Sequence, residues 1–243
     1  MKVLITGSRG FVGKNLIQSL SDRESITVIE FHRGNTHQEL KDGIRKADVL
    51  IHLAGVNRPD NQEEFDQVNF GLTEEIVSIL ENENKDIPII FSSSTQVLED
   101  NAYGKSKLKA EHLLLSRQDK QASNIYVLRL PGLFGQGCKP NYNSVVATFC
   151  NNIQRNIPIE IHHPNKILEL IYIQDLIQYI NNLLEELPKS KNPITPNLIH
   201  SISLESLART LEEFKHTGGQ TKRMGVSKSL TNALYATFQS YTV

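Results

Sequence analysis

Tryptophan is absent from this 243-residue sequence, and cysteine and methionine occur only twice each. Cys138 and Cys150 are too few for a disulfide framework and form no CxxC pair, which excludes a stapled secreted scaffold and a dithiol oxidoreductase. The chain therefore reads as a reduced, cytoplasmic protein. Charge of one sign is lacking as well. The sequence has 26 Lys and Arg against 27 Asp and Glu, a formal net charge of -1, so nothing argues for nucleic acid or an acidic membrane as partner. No apolar run approaches the ~20 residues of a membrane span. The sequence enters a strand at once (Lys2-Val3-Leu4-Ile5), leaving no signal peptide. The eight histidines show neither HxxxH nor HExxH spacing, so no metal site is expected.

What is present is alternation. Strand patterns at Met1–Thr6, Ile26–Phe31, Val49–Leu53, Pro88–Ser92 and Ile125–Leu130 are separated by helical patterns at Val12–Leu20, Gln38–Lys46, Leu72–Glu81 and Tyr103–Leu115. Strand–helix alternation predicts an α/β fold, a Rossmann-type doubly wound parallel sheet. In the strand order 3-2-1-4-5-6 a further strand would precede the Gln38 helix. Only four residues separate Arg33 from Gln38, so that edge strand is expected to be missing. After Pro131 the texture changes to a polar loop, Gly135–Ser144, and then Val145–Gln154 (helix, capped by Asn143 or Ser144), Leu168–Ile173 (strand), Leu176–Leu187 (helix), a Lys/Pro linker at Lys189–Pro196, and helices at Ser203–Phe214 and Leu230–Phe238. The expected organisation is one unit over 1–243. Residues 1–135 and 166–187 form a nucleotide-binding core, and 136–165 and 188–243 a small C-terminal substrate lobe.

Thr6-Gly7-Ser8-Arg9-Gly10-Phe11-Val12-Gly13 lies between the first strand and the first helix. Gly7 suits the tight turn, Gly10 the close approach of backbone to a pyrophosphate, and Gly13 close packing of helix on strand. The helix N-terminus adds N–H donors and partial positive charge. A purely structural turn is the alternative. At the end of the second strand the sequence reads Glu30-Phe31-His32-Arg33. His32 falls where a carboxylate would hold the ribose 2′-hydroxyl of NAD. Arg33 and Arg9 instead offer guanidinium groups to a 2′-phosphate. NADP(H) is the expected cofactor, against the alternative that both arginines are solvated surface residues.

Ser92-Ser93-Ser94 ends a strand at the carboxyl edge, where such sheets bind ligands. Tyr103-Gly104-Lys105-Ser106-Lys107 opens the next helix. Tyr103 and Lys107, at i and i+4, share a face. An ammonium there is expected to lower the Tyr103 hydroxyl toward working pH, so that Tyr103 exchanges a proton with a substrate oxygen. Ser94 would hydrogen-bond the same oxygen, and Lys107 would also grip the nicotinamide ribose. YxxxK alone is common by chance. The order of Gly-rich turn, Ser-rich strand end and YxxxK carries the argument.

On these motifs the sequence resembles the extended short-chain dehydrogenase/reductase family over nearly its whole length. Thr6–Gly13 resembles TGxxGxxG, His52-Leu53-Ala54-Gly55 an HxAA-like strand end, Asn69–Thr73 NxxGT, Phe91–Ser94 FSSS, Tyr103–Lys107 YGxSK, Arg129–Gly135 RxxNVYG, and Tyr172–Asp175 YVxD. The resemblance implies that Leu53, Ala54, Gly55, Ser92 and Leu130 line the cofactor. Ala54–Pro59, Asn101–Lys107 and Cys138–Cys150 resemble, more narrowly, the reductase domain of bifunctional capsular polysaccharide enzymes that add a C-terminal cupin. That resemblance implies NADPH-dependent reduction of the C4 ketone of a UDP-2-acetamido-2,6-dideoxy-hexulose. The sequence reaches Val243 without a cupin, so C3 epimerisation is expected to be absent. Gly132 stands where the family pattern has Asn. Eight residues separate Ser94 from Tyr103, a short spacing that fits the capsular subgroup.

Lys139, Asn141, Tyr142 and Asn143 precede a helix N-terminus and suit a nucleotide diphosphate, or else simply form the loop. Asn57 and Arg58 could reach sugar hydroxyls, or serve only their loop. Asn69 is either a bridge between elements or a catalytic group. The resemblance implies a homodimer through two helices. Ile76, Ile79 and Leu80 on one, and Leu108 and Leu113–Leu115 on the other, would form that face or else pack on the sheet. Two other functions compete. A nucleotide-sugar epimerase or dehydratase would retain NAD, but Ser94-Thr95-Gln96 lacks the Asp-Glu pair a dehydratase needs. A non-catalytic NADP-binding redox sensor would not need both Tyr103 and Lys107.

Overall fold

The computed structural model describes residues 1–59, 61, 63–118, 124–188, 193–218 and 226–242. The chain forms two compact units, residues 1–130 with 177–196, and residues 131–176 with 197–243.

The first unit is built on five parallel strands: β1 (Lys2–Thr6), β2 (Thr27–Phe31), β3 (Val49–His52), β4 (Ile89–Ser94) and β5 (Ile125–Leu130), in the order β2-β1-β3-β4-β5. This is the doubly wound order with its outer strand missing. Helix α1 (Phe11–Leu20) follows β1, and α2 (His37–Lys46) occupies the short stretch between β2 and β3. The start of α2 is fixed by a capping box, in which the Thr36 side chain accepts from Glu39 N and Glu39 returns to Thr36 N. With the turn chemistry used this way, no residues remain to form a strand. Helices α3 (Leu72–Asn82) and α4 (Ala102–Gln118) follow β3 and β4.

Strands β3 and β5 are buried along almost their whole length, as parallel strands covered on both faces must be. Leu4, Leu40, Ile44, Leu50, Ile76, Leu80, Ile89, Phe91 and Leu114 are among the residues that form one core between sheet and helices. Ile76, Ile79, Leu80 and Leu114 therefore pack on the sheet. The choice left open by the sequence resolves against their forming a dimer face.

The second unit has its own three-stranded sheet, with β6 (Gly132–Phe134) parallel to β7 (Ile167–Tyr172) and β7 antiparallel to β8 (His200–Ser203). Helices α5 (Val145–Gln154), α7 (Leu204–Thr217) and α8 (Lys228–Gln239) supply its core through Val146, Phe149, Leu207, Leu211, Phe214, Leu234 and Phe238. Helix α6 (Ile173–Glu186) begins in this unit and continues into the first. Ser144 caps α5 by accepting from Ala147 N, and Ser203 caps α7 by accepting from Ser206 N.

The division differs from the expected boundaries at three places. Residues 131–135 go with the second unit because β6 pairs with β7. Residues 166–176 go with the second unit because β7 pairs only with β6 and β8. Residues 188–196 stay with the first because Ile194 exchanges backbone hydrogen bonds with β5, Arg129 N to Ile194 O at 2.9 Å and Ile194 N to Val127 O at 2.7 Å. Of the predicted Lys189–Pro196 linker, 189–192 lie outside the described residues. No helix among the described residues is long and apolar enough to cross a membrane.

Candidate active site

The turn between β1 and α1 is shaped for a ligand that approaches backbone. Gly7 has φ +73°, and a Cβ there would lie 2.8 Å from Ala54 N. A Cβ on Gly13 would lie 2.3 Å from Gly7 O, so no other residue permits this contact of helix with turn. Gly10 caps α1 without any side chain covering the first-turn amides, which leaves those donors and the positive helix end open. Ser8 is buried, and its Oγ has no hydrogen-bond partner among the described residues. An orphaned hydroxyl beside uncovered amides fits a phosphate-bearing cofactor. Arg9 is exposed beside it. After β2 the His32–Asn35 turn closes on itself. Asn35 Oδ1 accepts from His32 N at 2.8 Å, and His32 Nδ1 accepts from Gly34 N at 3.0 Å. His32 is half-buried and Arg33 exposed. No carboxylate occupies the position after Phe31.

A hydrogen-bonded chain runs from this turn to Tyr103. Ala54 N donates to Thr6 Oγ1 at 3.3 Å, and Thr6 Oγ1 lies 2.7 Å from His52 Nδ1. His52 Nε2 lies 2.9 Å from Thr73 Oγ1, which donates to Asn69 O at 2.9 Å. Each hydroxyl has one proton, so the partners assign a neutral His52 protonated at Nε2. Burial, and then the Lys107 charge, push His52 down to about 3. Asn69 accepts from Val56 N at 2.8 Å and donates to Val56 O and to Ser106 Oγ, both at 3.0 Å. Ser106 Oγ donates to Tyr103 O at 2.8 Å. With both ends of its amide occupied, Asn69 is a bridge between the post-β3 loop and α4. It lies in a π-helical segment, Phe65–Gly71, which sets the amide between the two.

The proposed reacting groups meet at the β4 edge. Ser94 ends β4, and its Oγ accepts from Gln96 N at 3.2 Å, capping a short 3₁₀ turn, Thr95–Leu98. Ser94 is near enough to the Tyr103 hydroxyl to pull its pKa downward, and the Tyr103 ring packs on Phe65, with ring centroids 5.8 Å apart. Lys107 is buried. Its Nζ donates to Ser92 O at 3.0 Å and sits 4.8 Å from the Phe91 ring centroid. Burial pulls Lys107 down to about 8, against the favourable charge of Glu111.

The expectation that Lys107 lowers Tyr103 is not met. Burial raises the Tyr103 hydroxyl above its ordinary value, and only Ser94 opposes it. The Lys107 ammonium is turned toward the Ser92 carbonyl and the Phe91 ring. Gly55 fills the gap beside it, where a Cβ would meet Asn69 Oδ1 at 2.9 Å and Lys107 Nζ at 3.1 Å. Leu53 and Ala54 are half-buried beside Gly55, and Leu130 pairs with Ser94 across β4–β5.

Other predicted positions are more open. Asn57 is half-buried and Arg58 exposed, in the loop after β3. Lys139 and Asn143 are exposed in the second unit, with Lys139 Nζ 5.5 Å from the Tyr142 ring centroid. Cys150 is buried in that unit's core, which raises its thiol above the usual range. Among the described residues, no group of His, Cys, Asp or Glu is placed to hold a metal.

Sequence reasoning missed Ser93, Glu111 and Arg129. Glu111 is fully buried, and it binds Ser93 Oγ and the Arg129 guanidinium at 2.7 Å. The available signal was spacing: Glu111 follows Lys107 by four residues, a carboxylate on the face that carries Tyr103 and Lys107.

Comparison with known proteins agrees with this geometry. Residues 3–198 match the NAD dependent epimerase/dehydratase family. The chain is 38% identical over 241 residues to UDP-2-acetamido-2,6-beta-L-arabino-hexul-4-ose reductase of Pseudomonas aeruginosa, covering 99% of this chain and 65% of that protein. It superposes on the capsular polysaccharide assembling protein CapF from Staphylococcus aureus with a TM-score of 0.87 and 37% identity, covering 99% of this chain and 66% of that one. UDP-glucuronic acid 4-epimerase from Bacillus cereus shares the fold, at TM-score 0.82 and 18% identity over 99% of this chain and 98% of that one. The chain thus spans about two thirds of the length of the first two relatives. A Gly-rich turn, a Ser-ended β4 and a YxxxK pair with its lysine buried, arranged on this sheet order and matched over most of the sequence, make the chain a member of the NAD dependent epimerase/dehydratase family.

Proposed function

We propose that this chain is a cytoplasmic, NADPH-dependent reductase of a 4-keto-6-deoxy UDP-sugar, a UDP-2-acetamido-2,6-dideoxy-hexulose, in capsular or surface polysaccharide synthesis. The observation that carries the reading is the grouping of Tyr103 with Ser94 at the β4 edge, with Lys107 buried one helical turn on. The 38% identical relative named as a reductase of such a 4-ulose supports the substrate class. The open α1 N-terminus and the orphaned Ser8 hydroxyl support a dinucleotide pyrophosphate, and the lack of a carboxylate after Phe31, with Arg9 and Arg33 available to a 2′-phosphate, supports NADP(H) over NAD.

Held by the Gly-rich turn Gly7–Gly13 with Arg9 and Arg33, a nicotinamide cofactor would supply hydride chemistry at C4 of the sugar. Ser94 donates to the ketone oxygen and orients it. Tyr103, whose hydroxyl burial keeps protonated, gives that oxygen its proton, so the ketone becomes a hydroxyl and the phenolate is reprotonated from water. Lys107 places positive charge on the same helix face, against the phenolate formed in that step. Lys139 and Asn143 at the start of α5 are assigned to the UDP diphosphate, and Asn57 and Arg58 to the sugar. Leu113 and Leu115 pack partly against the core of the first unit, so the homodimer belongs to this reading only through the half-buried Leu108 of α4. Light scattering of the purified chain checks it.

The test is NADPH oxidation with this UDP-4-keto sugar, comparing wild type with Tyr103→Phe. A fall of about 10²–10⁴-fold in turnover is expected, with NADPH binding kept. Wild-type protein that binds NADPH and never oxidises it overturns the reading.

A further inference from the structure

Glu111 follows Lys107 by one helical turn and Tyr103 by two, so the three side chains share one face of α4. Its carboxylate accepts from the Ser93 hydroxyl. It also takes the Arg129 guanidinium through Nε, at 3.1 and 3.2 Å, and through Nη2, at 2.7 Å. Ser93 lies between Ser92, whose carbonyl accepts from Lys107, and Ser94, which meets Tyr103. Arg129 is the direct partner of Ser93 across β4–β5. One carboxylate therefore ties together α4, β4 and β5, and its β4 tie falls one residue from each reacting serine. A buried ion pair seldom stabilises a fold more than apolar residues of the same volume would. Stability alone does not account for an ionic knot at this place.

We propose that Glu111, braced by Arg129, is the positioning residue that fixes the Ser92–Ser94 edge against Tyr103 and Lys107. The inference rests on the reductase reading for its rate measurements only. The titratable and charged groups around Lys107 are Tyr103 and Glu111 on α4, His52 on β3 and Arg129 on β5. His52 is neutral, and Arg129 shares the Glu111 carboxylate. Glu111 is the charge that favours the Lys107 ammonium against its burial.

The test uses the full chain labelled with ε-¹³C lysine, with the Lys107 resonance assigned by its loss in Lys107→Arg. In Glu111→Gln the Lys107 titration midpoint falls by about half a pH unit or more. The kcat for NADPH oxidation drops on the order of 10²-fold, with the sugar KM within about threefold. Ser93→Ala keeps the ion pair and cuts only the tie to β4. It is expected to lose about tenfold in kcat with the Lys107 midpoint unchanged, and it decides the matter if Glu111→Gln does not fold. A wild-type Lys107 midpoint in folded Glu111→Gln, or a wild-type kcat in Ser93→Ala, overturns the inference. Wild-type protein without any NADPH oxidation overturns the reductase reading instead, and the Lys107 titration alone then decides this one.

Discussion

Gly104→Ala adds one methyl group at the point where α4 leans on the 3₁₀ turn after Ser94. The new Cβ would lie 2.0 Å from Gln96 O, 2.9 Å from Gln96 C and 3.2 Å from Glu99 O. All three are backbone atoms, and Ser94 Oγ and Asn101 Oδ1 hold the surrounding turns, accepting from Gln96 N and Gly104 N. No side chain can swing aside. Restoring a separation of about 3 Å requires a shift of roughly 1 Å between the helix that begins with Tyr103 and the turn that begins with Ser94. A displacement of that size between reacting groups costs on the order of 10²-fold in rate.

Stability moves less. Overpacking costs about 1–3 kcal/mol, while Ala in place of Gly in a helix returns about 0.5–1 kcal/mol. The net is a loss of about 1–2 kcal/mol. In a chain of this size that corresponds to about 2–8 °C in melting temperature. The assay pairs kcat for NADPH oxidation with a thermal melt and an NADPH fluorescence titration. The expected pattern is a kcat down about 10²-fold, a modest fall in Tm, and cofactor affinity within a few-fold, since the Gly-rich turn is untouched. Wild-type kcat and Tm in the variant would show that α4 and the turn can part freely, and would refute the idea that their close approach sets the Ser94–Tyr103 geometry.

Three further outcomes follow from the same contacts. His52 is held neutral at about 3 against an ordinary value near 6.5, so its contribution is present above pH ~6.5 and is lost as pH falls toward 3. The difference in melting temperature between wild type and His52→Gln should shrink steadily over that window, and a constant difference would contradict the assigned network. Lys107 is lowered to about 8 from about 10.5, so its ionisation weighs on the fold below pH 8, and this burden lifts as pH rises toward 10.5. Lys107→Met should abolish turnover and yet melt higher than wild type at pH 7, with the gap closing above pH 9. A variant less stable at both pH values would show that the Ser92 hydrogen bond outweighs burial. Arg9→Ala combined with Arg33→Ala should raise KM for NADPH about tenfold or more and leave KM for NADH nearly unchanged. A wild type that already prefers NADH would remove the basis for the NADP(H) assignment.

The parallel sheet and its missing edge strand were legible because each strand is a short apolar run and the Arg33-to-Gln38 interval is too small for another. The Gly-rich turn and YxxxK were legible because they depend on residue types with few substitutes. Gly13 and Gly104 each sit where a Cβ would strike backbone. The strands of the second unit were harder to read. β6 has three residues and includes Gly132, while β8 reads His-Ser-Ile-Ser, with one residue, Ile202, buried. Neither run is long enough to show a period, and each forms only because β7 is present to pair with it. The pKa direction of Tyr103 was misread for a related reason. Helical spacing gives which face a lysine shares, but the direction its ammonium takes along that face depends on the Ser92 carbonyl and the Phe91 ring, which come from another element.

The way polar groups are used separates the frame of this site from its working parts. His52, Asn69, Ser106 and Glu111 are buried or nearly so, and each is engaged by hydrogen bonds to partners from other elements. Hydrogen-bonded buried groups can hold geometry, but they have little left to offer a ligand without breaking a bond already made. The Ser8 hydroxyl, the first-turn amides of α1 and the Tyr103 hydroxyl remain less committed, and they lie beside that frame. A protein that buries so many polar side chains around a few uncommitted ones gives up stability that apolar packing would have supplied. On the proposed function, that sacrifice holds the uncommitted groups in place for a phosphate and a ketone oxygen, neither of which the fold itself provides.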